Sequence, residues 1–210
     1  MTPDRLHSLI VNALTFSRVP LILAWSCCAV AAQFLSSMAV AVVACVLMFL
    51  AGMSDLYDGM LARRWNVVST FGKLADPLMD KVFFIVAFPT LLWLICVQGG
   101  NVVHGVIMLV FTVFYILRDQ WVTFLRAVAS TYHADVSAMW LGKVRTALSF
   151  PAAGLIYLYL AFHVAFSPEV DRWFLWVVYA VEVALIALNV YSCVVYTRAY
   201  SPYMRRALKE

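Results

Sequence analysis

Six long apolar runs are the feature that most constrains how this chain can fold. About 20 apolar residues cross the hydrocarbon core of a bilayer as one helix. The 210 residues are 65% hydrophobic and only 12% charged, whereas a soluble domain carries about 25% charged residues. A soluble fold is therefore excluded, and residues 1–210 are interpreted as one all-α integral membrane domain with six transmembrane helices. The runs are Val11–Leu35, Met38–Met53, Leu78–Val97, Val102–Leu117, Ala147–Phe166 and Trp173–Tyr196.

A short amphipathic helix is predicted before the first apolar run. Residues 2–4 are typical of a helix start. Leu6, Leu9 and Ile10 would share one face of the helix that follows. We expect this segment to lie along the membrane surface and to lead into the first span.

The positive charges predict how the chain is oriented in the membrane. All Lys and Arg residues except Arg172 fall at span ends or in loops that would face the same side. That side is cytoplasmic by the positive-inside rule. Both termini and residues 55–81 are therefore predicted on the cytoplasmic face of the cell's inner membrane. Membrane lipids are the expected surroundings, and no nucleic-acid partner is expected.

Four aspartates stand in this cytoplasmic segment, DLYDGMLARRWNVVSTFGKLADPLMDK. They are Asp55, Asp58, Asp76 and Asp80. The first two are three residues apart and the last two are four apart, so each pair would share one face of a helix. Pro77 leaves two alternatives for the third helix, which either extends back towards Gly72 or starts with Asp76 as its N-cap. In both cases a turn can bring the two pairs together.

Carboxylates that face one another repel, and either protonation or a bound cation relieves the repulsion. A site built from oxygen ligands suits Mg²⁺, Mn²⁺ or Ca²⁺ rather than zinc or copper. Gly59, Ala62 and Gly72 leave space on the same helix faces, and Arg63 adds a positive charge. Such a site is suited to pyrophosphate chemistry.

The spacing D-x2-DG-x2-AR-x8-G-x3-D-x3-D resembles the signature of the CDP-alcohol phosphotransferase family and matches it at every fixed position. The resemblance covers most of the chain, because "NALTFSR" is similar to the family's pattern at the first span. "LRDQWVTFLR" and "SAMWLGKVRT" resemble segments of the members that make phosphatidylglycerolphosphate. Those members usually carry R-E and G-K-x-K-T, where this chain has Asp119 and Arg145.

The resemblance implies a homodimeric phosphatidyltransferase that uses two divalent cations, Mg²⁺ or Mn²⁺. It would move a phosphatidyl group from CDP-diacylglycerol to sn-glycerol 3-phosphate and release CMP. The metals would be held by Asp55, Asp58, Asp76 and Asp80, and Asp80 would also be the general base. The donor would contact Asn12, Thr15, Gly59, Ala62, Arg63 and Gly72.

Four cations flank the fourth apolar run and the start of the fifth, on the same side as the aspartates. They are Arg118, Arg126, Lys143 and Arg145. Arginine forks and lysine charges suit an acceptor that bears its own phosphate, and the alternative is ordinary anchoring at the membrane surface. Arg18, near the end of the first run, either extends to the surface or contributes to the donor site.

Other polar residues of the apolar runs are assigned structural roles. Glu182 and Asn189 are seven residues apart in the last run and are expected to form interhelical or dimer hydrogen bonds. The four histidines are interpreted as interfacial. So are the aromatic residues at span ends, Trp65, Trp140, Trp173 and Tyr196.

Three alternative functions remain open. Within the family they are a cardiolipin synthase, with phosphatidylglycerol as acceptor, and a phosphatidylinositolphosphate synthase. From a different class, the aspartates could be the ion site of a divalent-cation transporter. Carboxylates at the cytoplasmic end of the spans, rather than at the bilayer midplane, disfavour the transporter.

Overall fold

The computed structural model describes residues 3–67, 70–98, 101–134 and 140–209, and within these ranges the chain forms six long helices. They are α1 (Pro3–Leu35), α2 (Met38–Arg64), α3 (Thr70–Val97), α4 (Val102–Thr131), α5 (Trp140–Phe162) and α6 (Pro168–Ala207). A single 3₁₀ turn, His163–Ala165, separates α5 from α6. Each of the six is long and apolar enough to cross a membrane. The prediction of an all-α membrane fold with six spans is therefore confirmed.

Several helices continue well beyond the apolar runs. The second run ends at Met53, but α2 continues to Arg64. The fourth ends at Leu117, but α4 continues to Thr131. Polar residues stop an apolar run without stopping the backbone hydrogen bonds of a helix, so these extensions can carry charged residues. These extensions lie together at one end of the bundle, which we call the charged end.

The predicted N-terminal surface helix is not a separate element. The helix α1 runs from Pro3 to Leu35, and the amphipathic segment forms its first turns. Leu6 and Leu9 lie on its outer surface, each about half exposed. The expectation of a distinct helix was wrong because no residue between this segment and the first span interrupts helical geometry.

The connection between α2 and α3 brings Asp80 close to Asp55 and Asp58. Asn66 follows the end of α2 with a φ of 55°, a left-handed conformation that asparagine tolerates better than most residues. The helix α3 begins at Thr70, so Pro77 lies inside it and Asp76 is not its N-cap. Of the two alternatives for α3, the longer helix is observed.

The helices pack around an aromatic core beneath the charged end. The main contacts of α1 are with α2 and α3, while α4 packs mainly on α6, and α5 packs on α2, α3 and α6. Phe84 of α3 has its ring centroid 5.0 Å from that of Tyr115 of α4 and 4.8 Å from that of Phe150 of α5. This cluster joins three helices and forms an apolar floor below the polar residues.

Candidate functional site

Three of the predicted metal ligands converge on Arg18. Its Nη2 atom lies 2.8 Å from Asp55 Oδ1 and 3.0 Å from Asp58 Oδ2, and its Nη1 atom lies 2.6 Å from Asp80 Oδ1. The four side chains, which we call the aspartate cluster, come from α1, α2 and α3. The prediction that a turn brings Asp55 and Asp58 close to Asp80 is met for these three residues.

The buried stripe of each helix explains why these side chains point inward. On α1 this stripe is Val11, Thr15, Arg18, Ile22, Trp25 and Ala29, with the spacing of one helix face. On α2 it is Ala41, Ala44, Met48, Ala51, Ser54 and Asp58. Each stripe is apolar within the membrane and becomes polar at the charged end, so the packing that buries Trp25 also buries Arg18.

Arg18 does not extend to the membrane surface, which was one of its two predicted roles. Its exposed fraction is 0%, and it contacts the aspartates rather than lipid or water. Thr15, one turn earlier, donates a hydrogen bond of 2.9 Å to Asp58 Oδ2. Asp58 is buried, while the side chains of Asp55 and Asp80 keep 31% and 27% of their surface exposed. A ligand can therefore reach two of the three carboxylates.

The aspartate cluster has the donor chemistry that a hard divalent cation requires. Three carboxylates and one guanidinium leave two net negative charges on these four side chains. The described side chains include no set of three or more acidic, histidine or cysteine residues arranged around one metal position. Asp76 belongs to α3, but its side chain lies outside the described part of the structure. The residues present fit Mg²⁺ or Mn²⁺ by charge and by ligand type.

Of the residues predicted to bind the donor, Thr15 contacts the aspartate cluster through Asp58. Arg63, on the exposed side of α2, donates from Nε to the carbonyl oxygen of Gly59 at 2.9 Å. A Cβ atom placed on Gly59 would meet the Arg63 side chain at 3.9 Å, an ordinary contact distance. Asn12, Ala62 and Gly72 are each partly exposed.

A cavity of about 650 Å³ opens at the charged end and connects the aspartates to the predicted acceptor cations. Asp55 and Asp80 line it on one side. The opposite wall carries Arg118, Arg126, Lys143 and Arg145, together with Lys81, Asp119, Tyr115 and Tyr196. All four predicted acceptor cations therefore lie in one cavity with two of the predicted metal ligands.

Asp119 organises the cations of the cavity wall. Its Oδ1 atom accepts a hydrogen bond from Arg145 Nη2 at 2.9 Å and lies 3.6 Å from Arg118 Nη1. Its Oδ2 atom lies 3.5 Å from Lys81 Nζ. One carboxylate thus holds side chains from α3, α4 and α5. Lys143 differs from these cations, because it is exposed and forms no ion pair with the described residues.

The helix α6 anchors the two buried arginines of the wall. Arg118 donates to Ser192 Oγ, and Arg145 donates from Nη1 to Asn189 Oδ1 at 3.3 Å. Both arginines also stack on aromatic rings. Arg145 lies 4.2 Å from the ring centroid of Tyr115, and Arg118 lies 4.9 Å from that of Tyr196. These contacts fix the direction of both guanidinium groups.

The sequence matches the CDP-alcohol phosphatidyltransferase family over residues 8–191. The chain belongs to this family. The resemblance that the aspartate spacing indicated is therefore confirmed. Together with the six apolar helices, the membership makes the chain an integral membrane protein.

Individual relatives match shorter segments of the chain. Over 107 residues it is 35% identical to the CDP-diacylglycerol–glycerol-3-phosphate 3-phosphatidyltransferase of Mycoplasma genitalium. The matched segment is 51% of this chain and 40% of that protein. The Bacillus subtilis protein of the same name is 32% identical over 127 residues, or 60% of this chain and 61% of that protein. A cardiolipin synthase (CMP-forming) of Streptomyces coelicolor is 42% identical over 50 residues, 24% of this chain and 23% of that protein. The chain spans about half the length of the first two relatives.

Several residues that line the cavity were not predicted from the sequence. Tyr196 was interpreted as an interfacial anchor, but it is buried and lines the cavity. A Cβ atom on Gly142 would lie only 2.8 Å from the Tyr196 hydroxyl oxygen, so a larger residue there would displace the Tyr196 side chain. Asn189 was predicted to form an interhelical bond and does so, although its partner is the cavity residue Arg145. The one signal in the sequence was the position of Tyr196 seven residues after Asn189, on the same face of α6.

Glu182 and His104 form a second buried polar pair away from the charged end. His104 Nε2 lies 3.0 Å from Glu182 Oε1, and the exposed fractions are 4% and 0%. The interpretation of His104 as an interfacial residue was wrong, because α6 covers it. Glu182 uses its hydrogen bond within the chain, between α4 and α6.

Proposed function

We propose that the chain is a phosphatidyltransferase that moves a phosphatidyl group from CDP-diacylglycerol to sn-glycerol 3-phosphate and releases CMP. The observation that carries the proposal is the single cavity in which Asp55 and Asp80 face Arg118, Arg126, Lys143 and Arg145. The carboxylates on one side of the cavity and these four cations, which we call the cationic wall, would serve different parts of one reaction. The names of the Mycoplasma and Bacillus relatives support the same acceptor.

The carboxylates would hold two divalent cations, Mg²⁺ or Mn²⁺, through Asp55, Asp58, Asp76 and Asp80. Bound there, the cations would neutralise the pyrophosphate of the donor and stabilise the departing CMP. The cytidine diphosphate would lie along Gly59, Ala62, Arg63 and Gly72, with Asn12 and Thr15 on the facing side of α1. The partial exposure of Gly59, Ala62 and Gly72 supports this placement.

The chain's own residues would then move one proton and orient one hydroxyl group. An oxygen of glycerol 3-phosphate attacks the phosphatidyl phosphorus, the bond to the bridging pyrophosphate oxygen breaks, and CMP leaves with the electron pair. Asp80 would take the proton of the attacking hydroxyl as general base. Its partial exposure towards the cavity, where the acceptor would lie, supports this role.

The cationic wall would bind the phosphate of the acceptor. Arg118 and Arg145 are held in place by Asp119 and by α6, so they would present donors in fixed directions. Lys143 and Arg126 would add charge at the same wall. A phosphate group gains most from such charge-assisted hydrogen bonds in a partly desolvated cavity.

We also propose that residues 1–210 act as one domain, that the protein is a homodimer and that the charged end faces the cytoplasm from the inner membrane. The distribution of Lys and Arg supports this orientation. CDP-diacylglycerol has its acyl chains in the bilayer and its nucleotide in water. An active site at the end of a helix bundle can reach both.

A cardiolipin synthase activity is the second candidate, and the Streptomyces relative favours it over a short segment. Its acceptor, phosphatidylglycerol, is itself a lipid. One assay separates the candidates, using purified protein, labelled CDP-diacylglycerol, Mg²⁺ or Mn²⁺, and a panel of acceptors. The panel contains glycerol 3-phosphate, glycerol, phosphatidylglycerol and inositol phosphate.

We expect product and CMP only with glycerol 3-phosphate. We also expect the Asp58→Asn variant to lose activity by at least about a hundredfold, the size of effect expected for removal of electrostatic stabilisation in an active site. Chelation by EDTA should silence the wild type, and added Mg²⁺ or Mn²⁺ should restore it. Turnover with phosphatidylglycerol alone would replace the proposal by the second candidate. Near-normal turnover of Asp58→Asn would contradict the metal site.

A further inference from the structure

The position of the Arg18 guanidinium leads to an inference about how strongly the aspartate cluster binds metal. One oxygen of each of Asp55, Asp58 and Asp80 lies within 3.0 Å of its two terminal nitrogens. Arg18 is fully buried, and its Nε atom has no hydrogen-bond partner among the described residues. The terminal nitrogens, and with them the positive charge, are therefore directed at the three carboxylates.

We propose that Arg18 is a built-in counter-cation that weakens the affinity of the aspartate cluster for divalent cations. The proposal rests on the proposed function, in which Asp55, Asp58 and Asp80 hold metal. It adds a residue of α1 that lies outside the aspartate signature. Its role is to set the strength of metal binding.

Competition follows from the geometry of the contacts. Charge-assisted hydrogen bonds to a guanidinium occupy an oxygen of each carboxylate. A divalent cation that coordinates the same carboxylates must either share these oxygens with Arg18 or displace it. In both cases it binds within a few ångströms of a charge that arginine retains in proteins. Like charges at this distance repel strongly in a buried site.

Arg18 also has the opposite effect, because it draws the three carboxylates together. This organising effect is the smaller one, since the carboxylates are attached to helices that pack independently of it. Ile22 and Trp25 hold α1 in the core, and Met48 and Ala51 hold α2. Thr15 donates to Asp58 without Arg18. Loss of the charge should therefore strengthen metal binding.

Lys81 offers a useful contrast within the same cavity. It lies 3.5 Å from Asp119 and donates to Thr123 Oγ1 at 2.8 Å. Its charge is thus directed at Asp119 and away from the aspartate cluster. Arg18, by comparison, has both terminal nitrogens on the predicted metal ligands, so it is the residue to change.

The test measures the dissociation constant of Mn²⁺ by electron paramagnetic resonance, on purified full-length protein in detergent. We expect Arg18→Gln to bind Mn²⁺ at least about tenfold more tightly than wild type, equivalent to about 1.4 kcal/mol. Arg18→Lys should show a smaller gain, because an ammonium group has no planar fork to span three carboxylates. Arg198→Gln, a change at an exposed arginine of α6, should leave the constant unchanged.

Thermal unfolding gives a second readout on the same samples. A ligand that binds the folded state raises Tm more when its affinity is higher. A fixed Mn²⁺ concentration should therefore raise the Tm of Arg18→Gln by more than that of wild type. If Arg18→Gln does not fold, Arg18→Lys takes its place in both measurements.

Equal or weaker Mn²⁺ binding in the Arg18 variant would overturn the inference about Arg18. Failure of the proposed function looks different. Wild-type Mn²⁺ binding that is unaffected by Asp58→Asn would remove the metal site itself, and the absence of Mn²⁺ binding in both the wild type and Arg18→Gln would overturn both proposals. Tighter Mn²⁺ binding in Arg18→Gln, together with no transferase activity in the wild type, would support the inference and contradict the proposed reaction.

Discussion

At the scale of single residues, each carboxylate of the aspartate cluster has its own surroundings. Asp58 is buried between Arg18 and Thr15, which suits a fixed metal ligand. Asp55 and Asp80 keep about a third of their side-chain surface exposed and line the cavity. Asp80 is thus exposed enough for a bound acceptor to contact it directly, whereas Asp58 is not.

Asp80→Asn tests the assignment of the general base. The amide keeps an oxygen that can still accept a hydrogen bond from Arg18, so the cluster should remain folded. We expect kcat to fall by at least about a hundredfold, within the usual range for loss of a general base. The dissociation constant of CDP-diacylglycerol should change by less than about twofold, because the lost interaction belongs to the transition state.

The matched control is Glu169→Gln, which makes the same acid-to-amide change at an exposed position of α6. It should leave both constants as in wild type. A parallel collapse of donor binding in Asp80→Asn would make Asp80 mainly a metal ligand and would remove its assignment as the base.

At the scale of helices, α6 holds the cationic wall of the cavity in place. Its buried stripe is Val178, Glu182, Leu185, Asn189, Ser192, Tyr196 and Tyr200. The first part of this stripe packs in the membrane, and the later part contacts Arg145 and Arg118. The helix carries none of the aspartate signature, yet it directs both buried arginines.

Asn189→Ala tests this positioning role. The change removes one of the hydrogen bonds that orient Arg145 but leaves its contacts with Asp119 and Tyr115. A hydrogen bond to a charged group contributes about 1.5–3 kcal/mol, and this one is long. We therefore expect the lower end of this range, which corresponds to a rise of about tenfold in KM for glycerol 3-phosphate. The kcat should stay within about twofold of wild type.

Val190→Ala is the neighbouring control, since Val190 faces outward from the bundle. Kinetics against both substrates distinguish the outcomes. An equal rise in KM for CDP-diacylglycerol, or no rise for glycerol 3-phosphate, would show that Asn189 only supports helix packing.

Local periodicity explains which parts of the site could be predicted from the sequence. The face shared by Asp55 and Asp58, and the inward direction of Asp80, follow from spacing along α2 and α3. The buried position of Arg18 was also within reach, because it continues the stripe formed by Ile22 and Trp25. Its direction was left open in the sequence analysis, because long cations near a span end usually extend to the surface.

The remaining contacts depend on which helices pair, and no local pattern specifies that. His104 meets Glu182 only because α4 packs on α6, and Arg118 meets Tyr196 for the same reason. The sequence predicted His104 to be interfacial and Arg118 to bind the acceptor phosphate, and it indicated neither of these contacts. The helices are longer than the apolar runs for a related reason. The length of an apolar run reflects the thickness of the hydrocarbon core and not the length of the helix that contains the run.

At the scale of the whole molecule, the bundle joins two chemically different surfaces in one cavity. The helices α1, α2 and α3 supply the aspartate cluster, while α4, α5 and α6 supply the cations and their supports. The aromatic cluster at Phe84 lies where the two groups meet. The central claim is that these two surfaces bind the two substrates of one phosphatidyl transfer.

The KM for glycerol 3-phosphate in the Lys143→Gln variant tests this claim most directly. Lys143 lines the cavity but forms no ion pair with the described residues, so its loss should not disturb the network around Asp119. We expect KM for glycerol 3-phosphate to rise by at least about tenfold, since a charge-assisted contact contributes about 1.5 kcal/mol or more. The KM for CDP-diacylglycerol should stay within about twofold of wild type, and Lys209→Gln, at an exposed lysine, should change neither value. An unchanged KM for glycerol 3-phosphate in Lys143→Gln would contradict the assignment of the cationic wall to the acceptor.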